Sequence, residues 1–146
     1  MATFQRCAGL PVTVPCSAPC ISLRRTKGWK AEVSALKENR FGDFLANITA
    51  SGNSSWKWLQ NCFTNSNYQE QGITVTLALT ELFIAEKQKG ACRVHGGGFA
   101  GVIMAMLPNE LVDEYIGYIE GCTGKGSAFR MGIRPYGAIC VNEYIK

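Results

Sequence analysis

Histidine is nearly missing from this chain of 146 residues, where His95 stands alone. No serine, cysteine or carboxylate pattern around it suggests a nucleophilic triad. Cys16 and Cys20 have a metal-like spacing, but no second cysteine pair joins them, so zinc is not expected. The seven cysteines (7, 16, 20, 62, 92, 122 and 140) are odd in number, which argues against a closed disulfide framework and for reduced thiols in a cytoplasmic protein. No uninterrupted apolar run approaches membrane-spanning length, which disfavours a membrane role. Acidic residues are absent from the first 31 positions, which carry five basic ones, while the rest holds ten basic and eleven acidic residues. The net charge of +4 is therefore a property of the chain's start. A near-neutral body disfavours a nucleic-acid face.

What remains is ordinary for a globular chain, with 47% hydrophobic and 18% charged residues, enough for one domain with a core. Residues 1–28 differ from the rest. They hold three of the five prolines and three cysteines without a sustained helical or strand period, and are expected to be a poorly ordered extension. They show neither the apolar core of a signal peptide nor the clean amphipathic helix of a transit segment. Asn47-Ile-Thr49 and Asn53-Ser-Ser55 fit the glycosylation sequon, a pattern short enough to arise by chance.

Glycine is concentrated instead of spread. Arg93-Val-His-Gly-Gly-Gly-Phe-Ala-Gly101 places Gly96, Gly97, Gly98 and Gly101 between two short apolar runs. Such a cluster serves a tight hairpin connection, or a loop whose backbone must come close to an anion. This stretch resembles the third conserved motif of the GHMP kinases, and within them galactokinase. Ser51 to Asn61, Glu70 to Ile73, Pro108 to Tyr115 and Ile133 to Pro135 resemble the C-terminal half of bacterial galactokinases in order and spacing. The likeness spans about Ala31 to Val141. His95 stands where many members have a small or hydroxyl residue, and Ala100 where they have glycine. No stretch resembles the family's sugar-binding signature, its principal phosphate loop or its catalytic Asp and Arg.

The resemblance implies an α+β, ferredoxin-like GHMP-kinase C-terminal domain over residues 29–142, an antiparallel sheet with helices packed on one face, followed by a tail at 143–146. In a full-length enzyme such a domain takes part in ATP- and Mg2+-dependent phosphorylation of galactose to galactose 1-phosphate. It places Gly96, Gly97, Gly98, Phe99 and Gly101 near the nucleotide phosphates, with Phe99 packing the loop. No catalytic residue is expected here, and the chain alone is expected to be inactive. A domain parted from its other half would expose apolar surface and self-associate. The alternative is a non-catalytic ferredoxin-like module that binds a ligand or a partner chain.

Local patterns complete the expectations. Ala31 to Glu38 reads as a helix, interrupted by Gly42, then a second through Phe44, Leu45 and Ile48 that ends near Gly52. A third, capped by Asn53 or Ser54, would carry Trp56, Leu59 and Phe63. Ile73 to Thr80 alternates as a strand would, but its apolar continuation through Ala85, with the resemblance, favours a helix. Ala91 to Val94 and Val102 to Leu107 read as strands, as do Ala128 to Ile133 and Ala138 to Val141. Between these pairs lies a helix capped at Asn109 and ended by Gly121. Trp56 and Trp58 should face different ways, one buried and one at the surface. Arg93, on the strand before the loop, could pair an acidic residue or reach a phosphate, and the structural pairing is expected. Gly121 to Ser127 contains Gly-Lys-Gly-Ser, but its helix–loop–strand order is wrong for a phosphate loop and favours a helix end and turn.

Overall fold

The computed structural model describes residues 28–64, 66–96 and 101–133. The chain divides into two compact units, with the boundary between Pro108 and Asn109. In the first, helix α1 covers 28–37, α2 Phe41–Ser54 and α3 Gly72–Lys87, ahead of strands β1 (Ala91–Val94) and β2 (Ile103–Met106). In the second, a short 3-10 turn at Asn109–Leu111 leads into α4 (Val112–Thr123).

In the first unit the helix ends rely on residues other than glycine. Asn39 takes the left-handed conformation (φ 57°), and the Arg40 amide donates to the Ala35 carbonyl at 2.8 Å. That is a Schellman-type stop with asparagine in the role glycine usually fills. The break therefore falls at residues 38–40, and Gly42 lies within the first turn of α2 instead of interrupting it. Gln60 (φ 50°) and Gln88 (φ 55°) play the same part after the next two helical segments. Around the α1–α2 corner, Arg40 bonds Glu38 at 2.9 Å and also bonds Asp43.

α3 settles the strand-or-helix ambiguity of Ile73 to Thr80. Thr76 donates its hydroxyl to the Gly72 carbonyl and Thr80 to the Thr76 carbonyl, both at 2.7 Å. Back-bonding of this kind lets threonine sit inside a helix without an orphaned hydroxyl. It matters most for Thr80, which is fully buried.

β1 and β2 form an antiparallel hairpin in which Ala91 faces Met106 and Val94 faces Ile103. Side chains alternate between the sheet's two faces, and each face has its own apolar cluster. Ala91 joins Ala35, Phe44 and Ile48, with Met104 and Met106 against them. Val94 joins Cys62 and Ile73, with Leu77 and Ile103 against them. Residues of α1 and α2 thus cover one face and residues of α3 the other. The expectation of helices on one face does not describe this hairpin, because the four residues of β1 are apolar or tightly packed on both sides.

Four local expectations need correction. No third helix starts at Asn53 or Ser54: α2 runs to Ser54 and continues into a π-helical turn, Ser55–Leu59. Trp56 and Trp58, both on that turn, are each 45% exposed, so neither is buried. Ala128 to Ile133 is irregular, with Phe129, Met131 and Ile133 almost fully exposed; its alternating pattern finds no pairing partner among the described residues. α4 continues past Gly121 and ends at Gly124 (φ 96°). The anticipated strand Ala138 to Val141 lies outside the described residues, as does nearly all of the 1–28 extension.

At Gly52, α2 presents no side chain of its own to β1. Phe44, Ile48 and Gly52 are its buried positions, four residues apart. A Cβ on Gly52 would lie 2.8 Å from the Arg93 Cβ and 3.2 Å from the Cys92 carbonyl oxygen. In an open helix interior, glycine to alanine stabilises by about 1 kcal/mol. Here we expect Gly52→Ala to cost about 2 kcal/mol, since the added methyl displaces strand backbone. Gly121→Ala in α4, where a Cβ meets nothing within 4 Å, should stabilise. Urea denaturation of both variants tests this reversal of sign; a stabilised Gly52→Ala would remove the close approach.

Candidate functional site: the base of the glycine loop

The hairpin brings both ends of the glycine loop together. Beyond the Val94–Ile103 pair, the His95 amide donates to the Val102 carbonyl at 3.1 Å, one more rung at the loop's base. Gly96 follows with φ 67°, and Gly101 returns the chain with φ 79°. Both angles are strained for any residue bearing a Cβ, although nothing lies within 4 Å of either position. Glycine is required at these ends for backbone conformation, not for space. Of the proposed loop contacts, Gly97, Gly98 and Phe99 lie outside the described residues. His95 is exposed at the loop's entrance.

Arg93 sits below the loop on the α2 face of β1. Its Nη1 donates to the Ser51 hydroxyl at 2.6 Å and its Nε to the Val94 carbonyl at 3.1 Å. Arg93 is thus held by a hydroxyl and a backbone carbonyl, partners the expectation of an acidic residue did not name. Ser51 and Gly52 were visible only as part of a motif; that they meet Arg93, 42 positions away, had no signal in spacing. The one hint was a glycine inside an otherwise helical pattern, which calls for a packing reason.

On the opposite face lies Cys92, which is buried. Burial pushes its thiol up to about 11, with the Glu81 carboxylate adding to the effect. Cys62 is raised by burial too. Both are therefore neutral thiols at physiological pH and poor nucleophiles. Among the described residues no three His, Cys, Asp or Glu side chains gather as a metal site requires.

In the second unit, the Gly-Lys-Gly-Ser segment closes α4. The Gly126 amide donates to the Glu120 carboxylate at 2.7 Å, and the Ser127 hydroxyl to the Gly124 carbonyl at 2.7 Å. The Gly126 amide, which a phosphate loop would turn toward its ligand, serves a carboxylate instead, and the segment is a helix end.

Compared with protein-family models, curated proteins and solved structures, the chain shows no match. Among the described residues no helix is long and apolar enough to cross a membrane.

Two expectations follow from this geometry. Gly96→Ala and Gly101→Ala should each cost about 1 kcal/mol through φ alone and leave a folded protein, which chemical denaturation would show. Loss of folding in either would mean that the loop end is packed. The second concerns Cys92. The unfolded thiol ionises near its ordinary value of 9.0, and the folded one only near 11. Its contribution to stability is complete below pH 9 and lost between pH 9 and about 11. Melting temperature should therefore fall across that window less steeply in Cys92→Ala than in the parent chain. Parallel curves would show that Cys92 is not the group responsible.

Proposed function

We propose that this chain supplies the C-terminal part of a galactokinase-like sugar kinase, a domain that helps transfer the γ-phosphoryl group of ATP to galactose. The observation that carries the proposal is the glycine loop itself, mounted at the tip of a hairpin with positive φ at both described ends. The order of the flanking motifs supports it, as does the meeting of Ser51-Gly52 with Arg93, which joins two of those motifs in space.

The loop's role is electrostatic and steric. Glycine leaves the backbone bare, so amide groups can approach phosphate oxygens closely, while the hairpin fixes the direction of approach. ATP with Mg2+ would be held mainly by the other half of such an enzyme, and galactose wholly by it. A base, a principal phosphate loop and this loop together would clamp the transferring phosphoryl group. Without the first two, acceptor positioning and most charge stabilisation are lacking.

A coupled ADP-release assay with galactose provides the test. The chain alone should give no turnover, and mixing it with a separately prepared N-terminal half of a bacterial galactokinase should produce turnover that depends on both parts. Turnover by the chain alone would overturn the division of labour. An inactive mixture in which the two parts demonstrably associate would favour the non-catalytic binding module.

A further inference from the structure

Three residues below the loop form an arrangement whose purpose goes beyond holding helix to strand. Gly52 lets the last turn of α2 approach the Arg93 backbone, with its virtual Cβ only 3.3 Å from the Arg93 Cα. The Arg93 Cβ itself meets that position at 2.8 Å, so the side chain starts at the contact and has to run out along it. It leaves the contact beside Ser51, whose hydroxyl accepts from Nη1 at 2.6 Å. Its Nε donates to the Val94 carbonyl at 3.1 Å, so the guanidinium is folded along its own strand toward the loop. Arg93 faces Met104, Val94 faces Ile103, and the His95–Val102 rung comes next. The guanidinium therefore ties the end of α2 to the strand two residues before the loop opens.

We infer that Ser51, Gly52 and Arg93 form a latch that fixes the base of the glycine loop, making Ser51 and Arg93 positioning residues for that loop. Gly52 supplies the closeness, Arg93 the reach and Ser51 the acceptor. The guanidinium suits the task because its planar fork serves two acceptors in fixed relative directions. A lysine ammonium lacks that fixed fork, its donors radiating from a single point at the end of a flexible stem. Ser51 can accept here because it is half-buried on α2 and oriented by a helix whose other contacts, Phe44 and Ile48, are anchored in the core. The hairpin's last rung thereby inherits the rigidity of α2.

This inference deepens the kinase reading, since the latched segment is the one that reading sets against the phosphates. Its test needs no turnover, so the two fail separately. Amide hydrogen exchange is measured on the full chain without nucleotide, for the parent, Ser51→Ala, Ser51→Thr and Arg93→Lys. A latch predicts at least tenfold faster exchange of the His95 amide in Ser51→Ala and Arg93→Lys, with the amides of α3 from Leu77 to Phe83 unchanged. Ser51→Thr keeps the hydroxyl and should restore slow exchange at His95. Unchanged His95 exchange overturns the latch. So does an equal acceleration across α3, which would make the bond a general stabiliser, and so does failure of Ser51→Thr to rescue. Ser51→Ala is chosen over Gly52→Ala because it removes one hydroxyl and leaves the helix backbone undisturbed.

Discussion

The approach of α2 to β1 through Gly52 is the contact on which the other arrangements rest. A two-stranded hairpin is marginal by itself in water, and this one has only four residues in each strand. Its persistence depends on being covered. Gly52 lets α2 press onto the strand backbone, which sets Phe44 and Ile48 against Ala91 and leaves Arg93 the single exit it takes toward Ser51. Any side chain at position 52 would lift the helix from the strand and open the first cluster at its edge. The value of the glycine lies in what it admits, since within the helix it is the poorer residue.

Much of the fold was legible in the sequence, and the exceptions share physical causes. α3 was readable from the length of its apolar run, despite a strand-like start, because hydroxyl back-bonding removes the penalty its threonines would carry. The hairpin was readable from two short apolar runs around a glycine cluster. Helix ends were harder. A search for glycine stops points to Gly42 and Gly121, whereas the chain turns at Asn39, Gln60, Gln88 and Gly124. Three of these four lack the usual signal, since a left-handed cap needs only a tolerable residue and a satisfied carbonyl. The π-helical turn was invisible for a related reason: Trp56 and Trp58 fit helical spacing, but an extra residue per turn moves both to the surface.

The candidate site divides in the same way. Glycines at the loop ends are a local requirement, and local requirements are written in the residue type. The pairing of Arg93 with Ser51 is a tertiary result, and a periodicity holds no record of it. Ala128 to Ile133 shows the opposite error. Its alternation is a sound strand pattern, but a strand exists only where an edge receives it, and no such edge meets it among the described residues. The Gly-Lys-Gly-Ser segment ends a helix as expected although the strand anticipated after it is absent among the described residues; a phosphate loop needs a helix there, and the described residues hold none.

β1 has a further property that follows from its two-faced packing. Ala91 and Arg93 look toward α2, while Cys92 and Val94 look toward α3 and the Cys62 cluster. The two ends of one four-residue strand, Ala91 and Val94, thus belong to two different cores, and a shift of register by one position would turn each toward the other's. Neither cluster can come apart gradually while its neighbour stays intact. Loss of one core removes a wall of the other, so global unfolding of this unit should be one cooperative step, distinct from local opening at the hairpin's end. Evolution within it would then favour paired substitutions across the strand over independent drift on either face.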